Sequence, residues 1–194
     1  MLDHRRLRNN GHRGLVLAVL AVSAMGVSGC GGKDEKAAKE ASKAVDACTL
    51  VTPAEIHGLS PRLGSGHHSK MKIPNKSVSI CDFDDDKHIP ALILTVTPAP
   101  SGGVKADLEQ QLGGFGYAMS SVSGLGDEAA AAVQQPDPSK GIKAGLAFLA
   151  SRAGQWEVTL SPVRLDIPDS SGAAFSRLKT VAAAAVTRLR AAGH

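Results

Sequence analysis

Side chains that could bind a metal ion occur in two short segments of this chain. The first holds His67 and His68, and the second holds Asp84, Asp86 and His88. Imidazole nitrogens and carboxylate oxygens are ligands for zinc or copper, so these five residues form a candidate metal site if the fold brings them together. No H-x-x-x-H or similar spacing requires that, and His and Asp are common in solvated turns. Solvated turn residues are therefore the favoured interpretation, and no resident cofactor is predicted.

Ser176 and Lys179 match the S-x-x-K pattern of penicillin-binding enzymes, which places a nucleophilic serine and a lysine on one helical face. The companion S-D-N and K-T-G motifs are missing from the sequence, as are G-x-S-x-G, H-E-x-x-H and a P-loop. Leu178 also fits the packing side of a helix. The sequence therefore favours a protein that acts by binding over an enzyme.

A glycine-rich segment, Gly124-Leu125-Gly126-Asp127, is a second candidate for function. It could form an exposed recognition loop through Gly124, Gly126 and Asp127. A tight turn between two strands explains the same residues without any function, because glycine permits backbone conformations that other residues rarely adopt. The turn is the favoured interpretation.

The chain has three cysteines, and an odd number in an exported protein leaves one with a separate role. A basic stretch, an apolar stretch from Leu15 to Val27 and small residues give the N-terminus the form of an export signal. The apolar stretch is shorter than the about 20 residues of a membrane-spanning helix.

Val27-Ser28-Gly29-Cys30 resembles the lipobox of bacterial lipoproteins. The resemblance implies cleavage before Cys30, a lipid on its sulfur and acylation of the new N-terminus. Stable membrane anchoring requires two acyl chains, which a lipidated cysteine would provide. An ordinary secretory signal is the alternative. If Cys30 carries lipid, Cys48 and Cys81 remain as a pair for a disulfide in an oxidising compartment. A free catalytic or metal-binding thiol is the other possibility for that pair.

These features divide the chain into a signal peptide (1–29), a lipidated cysteine with a flexible tether (30–45) and a folded extracytoplasmic domain (46–194). The formal charge of +4 comes mostly from the first 29 residues, which carry four arginines against one aspartate and leave the remainder near neutral. Nucleic-acid binding needs a basic surface and is therefore not expected. Aromatic residues at 3% also argue against a carbohydrate-binding surface.

The elements that must position these residues follow from capping and periodicity. Thr52-Pro53-Ala54-Glu55 combines a capping box with a proline at the first helical position, and predicts a short helix. Strands are predicted at 78–83, at 91–97 from its Leu, Ile, Val and Thr content, and at 117–122. Alternating apolar residues predict two more at 142–150 and 155–161, whereas 128–133 could be strand or helix. Helices are expected at 103–112 and after Asp169, the latter capped by Asp169 or Ser170. We expect a single α+β domain, with an antiparallel sheet of about five strands and the long C-terminal and shorter helices on one face.

Three blocks of this domain resemble the actinobacterial cell-surface lipoproteins grouped as domain of unknown function 3558. They are the segment from Asp46 to Glu55 with Cys48, the Cys81-Asp82-Phe83 segment, and the segment from Gly124 to Ala129. Phe83 departs from the tryptophan expected after the second cysteine. The resemblance implies a location and a fold but no catalytic residues.

The sequence as a whole predicts a lipoprotein on the extracytoplasmic face of the cell membrane that acts as a non-catalytic binding or accessory module. Its partner would be another envelope protein or a small ligand, and its oligomeric state is left open. The alternative is capture of a metal ion or a small hydrophobic ligand for uptake or transfer.

Overall fold

The structure is a computed structural model that describes residues 45–70, 77–142, 145–167 and 170–194. The predicted signal peptide, Cys30 and the predicted tether up to residue 44 lie outside the described residues. Val45, the last residue of that tether, is buried in the core at 8% exposure. Val45 therefore belongs to the packed domain, although the sequence assigned it to the tether.

Three α-helices and seven strands form the described part of the domain. The helices are α1 (Pro53–Leu59), α2 (Val104–Leu112) and α3 (Ala173–Ala191). The strands are β1 (His67–His68), β2 (Ser79–Asp84), β3 (Pro90–Pro98), β4 (Ala118–Ser121), β5 (Glu128–Gln134), β6 (Leu146–Ala153) and β7 (Trp156–Ser161). All seven strands belong to one antiparallel sheet in the order β1-β2-β3-β7-β6-β5-β4.

The predicted class, an α+β domain with a long C-terminal helix, is confirmed, but the prediction of about five strands is wrong. One additional strand is β1, which has two residues and forms by pairing His67 with Asp82 and His68 with Cys81. A two-residue strand carries no alternation that a sequence could reveal. The other is β5, whose alanines fit a strand or a helix equally well.

Helix α1 begins with the predicted capping box. The Thr52 hydroxyl accepts the amide proton of Glu55, and the Glu55 carboxylate accepts from the Thr52 amide at 2.7 Å. These bonds satisfy donors that the first turn of a helix otherwise leaves unpaired. Ile56 and Leu59 then turn into the core.

Helix α3 packs its apolar side against β6, β7 and α1. Every residue predicted for that side is buried: Phe175, Leu178, Val181, Ala182, Ala185, Val186 and Leu189. Burial of one such large side chain stabilises the fold by roughly 1.5 to 3 kcal/mol. The predicted cap is wrong, since Gly172 occupies the N-cap position without a side-chain hydrogen bond.

The expectation that all helices lie on one face of the sheet is also wrong. Alternate residues of β5 point in opposite directions, so Ala129 and Ala131 join the core beneath α3, whereas Ala130 and Ala132 contact the side on which α2 lies. Val104 and Leu108 of α2 pack there in a second, smaller core. Small alanine side chains let helices approach this strand from both faces.

Candidate functional site

The predicted disulfide between Cys48 and Cys81 is present, with the two Cα atoms 5.0 Å apart. It ties the 3₁₀ turn Ala47–Thr49 to β2. Asp46 caps that turn by accepting the Cys48 amide proton at 2.9 Å. The bridge closes a loop of 33 residues, for which loss of chain entropy in the unfolded state stabilises the fold by up to about 4 kcal/mol.

Two of the five predicted metal ligands meet in the structure. His67 Nε2 lies 3.1 Å from Asp84 Oδ2. The His68 carbonyl, which contacts His67 Nδ1, and the Asp84 carboxylate raise the pKa of His67. A raised pKa favours the imidazolium, which has no lone pair to offer a metal ion.

The remaining predicted ligands are placed differently. His68 points to the opposite face of β1 from His67, and its Nε2 lies 3.7 Å from Asp46 Oδ2. Asp86 and His88 are exposed in the turn between β2 and β3. Asp85 organises that turn by accepting the amide protons of Lys87 and Ile89.

Among the described residues, one group of three potential ligands lies close enough to hold a metal ion: Asp46, Cys48 and His68. The Cys48 sulfur is bonded to Cys81, so it cannot act as a thiolate ligand. Of the five residues predicted as a metal site, His67, His68, Asp84, Asp86 and His88, the structure pairs His67 with Asp84 and brings no three of them together among the described residues. The metal site remains a prediction.

The glycine-rich segment connects three elements instead of presenting a free loop. Asp127 accepts the amide proton of Gly154 at 2.7 Å and pairs with Arg190 of α3. The Gly154 amide and the positive charge of Arg190 lower the pKa of the Asp127 carboxyl. Gly124 and Gly126 have φ angles of 70° and 65°. The contacts of Asp127 give this segment a structural role, and its use in recognition remains a prediction.

A groove of about 340 Å³ lies between the start of α3 and the end of β4. Helix α3 contributes Phe175, Ser176 and Lys179, which follow one side of its first two turns, and Ser170 precedes the helix. The other wall is β4 and the segment after it: Ser120, Ser121, Val122 and Ser123. The groove thus contains both members of the S-x-x-K pattern.

The geometry of Ser176 differs from that of an activated nucleophile. Its hydroxyl donates to the Gly172 carbonyl at 3.2 Å, as helical serines commonly do. Its proton is therefore directed at the backbone. Since no acidic residue lines the groove, its described lining contains no acid–base pair of the kind used in acyl transfer.

Most polar donors in the groove have no partner among the described residues. The hydroxyls of Ser120, Ser121, Ser123 and Ser170 make no hydrogen bond to another described residue, and Lys179 makes no ion pair with one. Of these side chains, Ser121 is paired with Ala130 and faces the α2 side of the sheet, so Ser120, Ser123, Ser170 and Lys179 are the ones available to a ligand in the groove. Sequence reasoning considered Ser176 and Lys179 for catalysis alone and missed the serines of β4, because a run of serines in a short strand gives no signal of binding.

Comparison of the chain with family models, with curated proteins and with solved structures found no match. The resemblance to the domain of unknown function 3558 therefore rests on the residues quoted above. Within the described residues, no helix has the length and apolar character needed to cross a membrane.

Proposed function

We propose that this chain is an extracytoplasmic lipoprotein, related to the domain of unknown function 3558, that is anchored to the membrane through Cys30 and acts by binding. The observation that carries the proposal is the Cys48–Cys81 disulfide. It accounts for two of the three cysteines and leaves Cys30, which follows an apolar stretch and a lipobox-like segment. A disulfide is also typical of proteins outside the cytoplasm.

Binding is favoured over catalysis by the side chains of the groove. Five serines and one lysine line it, together with Val122 and Phe175. Such a surface can recognise a ligand through hydrogen bonds and charge, but it supplies no paired acid and base. The same lining favours a polar ligand over the small hydrophobic ligand considered from sequence.

The anchor is tested by cell fractionation of the Cys30→Ala variant. We expect the wild-type chain in the membrane fraction and the variant released from it, since the variant has no sulfur to carry lipid. Ser28→Ala, two residues away, preserves a small residue before the cysteine and should remain in the membrane fraction. Equal membrane association of Cys30→Ala and wild type would contradict the proposal.

A further inference from the structure

We propose that the groove beside α3 binds an oxyanion, the carboxylate or phosphate group of a small ligand, through Lys179 and the surrounding serine hydroxyls. This inference rests on the proposed binding function and names the chemical class of its ligand. Lys179 is the one charged side chain among the described residues that line the groove. Among the described lining residues, an anion would therefore meet a cation and no carboxylate.

The hydrogen-bonding groups of the groove fit the same class of ligand. Lysine offers three N–H donors and no acceptor, and each serine hydroxyl can rotate to donate. Carboxylate and phosphate oxygens are acceptors, and their bonds to a charged donor are shorter and stronger than neutral ones. Ser120, Ser123 and Ser170 line the groove with hydroxyls that no described residue engages. Ser120 is paired with Ala131 on the α3 side of the sheet, whereas Ser121 is paired with Ala130 on the α2 side. Ser120 and Ser123 on one wall can therefore donate to the same ligand as Lys179 and Ser170 on the other.

The position of Lys179 allows it to hold a ligand without losing a partner among the residues that the structure describes. It is partly buried on α3, whereas its neighbour Arg177 is exposed and does not line the groove. A partly buried ammonium group is less screened by water and salt than one in free solvent. The volume of about 340 Å³ is near the lower end for small-molecule sites, so a compact anion fits better than a large ligand.

The test is a titration of the full chain, purified from membranes in detergent, followed by the amide resonances of 120–123 and 175–179. Sodium phosphate and sodium acetate are the two probes, and choline chloride at matched ionic strength is the control. We expect saturable shifts confined to the groove with at least one of the two anions. Shifts with phosphate alone would identify a phosphate site, and shifts with acetate alone a carboxylate site.

Paired variants show whether Lys179 is responsible. Lys179→Gln should weaken binding about tenfold or more, because a hydrogen bond to a charged group is lost. Arg177→Gln removes the same charge from the same helix and should bind as wild type does. Ser123→Leu, at an exposed position on the opposite wall, should also weaken binding by filling the groove.

The inference is overturned if neither anion shifts the groove resonances beyond the choline control. Equal weakening by Lys179→Gln and Arg177→Gln would overturn it as well, since general charge attraction would then explain the shifts. Either result leaves the membrane anchor untouched, because release of Cys30→Ala from the membrane is measured separately. Failure of the ligand class and failure of the proposed function are therefore distinguishable.

Discussion

Glu157 is a buried carboxyl group, 5% exposed, and one of its oxygens has no hydrogen-bond partner among the described residues. Its other oxygen accepts from the Thr159 hydroxyl at 3.1 Å. Burial raises the pKa of Glu157 to about 7, and the nearby carboxylates of Asp107 and Glu128 raise it as well. Arg152 lies opposite Glu157 in the sheet but pairs with Glu128, at 3.9 Å. The domain therefore tolerates a neutral Glu157 better than an ionised one.

This burial predicts a stability that falls as the pH rises. An unfolded glutamate has a pKa near 4.5, so between pH 4.5 and about 7 the folded state holds a proton that the unfolded state has released. The stabilisation is fully present below pH 4.5 and is lost as the pH rises through the folded pKa, by up to roughly 3 kcal/mol. Urea unfolding at pH 5 and pH 8 measures the difference.

Glu157→Gln should remove most of that pH dependence, because an amide keeps the shape of the protonated carboxyl and cannot ionise. Glu109→Gln is the matched control, since Glu109 is an exposed residue of α2 that pairs with Lys105 at 3.8 Å. The control should keep the pH dependence of the wild type. A Glu157→Gln domain that still loses stability between pH 5 and pH 8 as the wild type does would contradict this account.

Gly126 is restricted by a neighbour as well as by its backbone angle. A Cβ atom at this position would lie 2.2 Å from the Arg152 carbonyl oxygen, whereas at Gly124 no heavy atom lies within 4 Å. Both glycines have positive φ, so alanine at either position bears a cost of about 1 to 2 kcal/mol for its conformation. Gly126→Ala should lose at least about 2 kcal/mol more than Gly124→Ala, measured by thermal unfolding. Equal losses would show that the close approach to Arg152 has no energetic effect.

At the scale of elements, an ion pair joins the first helix to the last. Arg188 of α3 donates two hydrogen bonds to Glu55 of α1, at 2.8 and 2.9 Å, and a third to the Leu50 carbonyl. The Arg188 hydrogen bonds lower the pKa of Glu55 to about 2. The glutamate of the α1 capping box therefore also links α1 to α3.

Removal of this pair should lower stability at neutral pH by about 1 kcal/mol, a modest value because both side chains are partly exposed to water. In the wild type, the contribution is present above pH 4.5 and is lost as the pH falls toward 2, since Glu55 must then be protonated. Arg188→Gln should therefore be destabilised at pH 7 and match the wild type more closely near pH 2. Arg177→Gln, an exposed change on the same helix, should leave urea unfolding unchanged; an equal effect of both variants would argue against a specific pair.

The elements differ in how far sequence could predict them. The capping box at Thr52 and the apolar side of α3 follow local rules of spacing, and both are confirmed. Strand β1 forms only by pairing with β2. That contact joins residues far apart in the sequence, and local periodicity cannot reveal it. The side on which α2 packs depends on the alanines of β5, because small residues on both faces of a strand permit either arrangement. The burial of Glu157 was not predicted either. Alternation along the strand places Glu157 on the face opposite Trp156 and Val158, and that face was expected to be solvated.

At the scale of the whole molecule, the residues that resemble a family have structural roles. Asp46 caps a turn, Cys48 forms the disulfide, Glu55 caps α1 and binds Arg188, and Asp127 connects to α3. The groove, by contrast, combines α3 with β4 and the segment that follows it. Its members are distant in the chain and have ordinary residue types, so the sequence could name Ser176 and Lys179 but could not place them together with the β4 serines.

The central claim is that Cys30 is the mature N-terminus and carries lipid, so that the disulfide-bonded domain is held at the extracytoplasmic face of the membrane. Mass spectrometry of the intact protein from the membrane fraction tests it most directly. We predict a chain that begins at Cys30 with the added mass of the acyl groups, and with Cys48 and Cys81 oxidised. A mature chain that begins at any other residue, or an unmodified Cys30, would contradict the account.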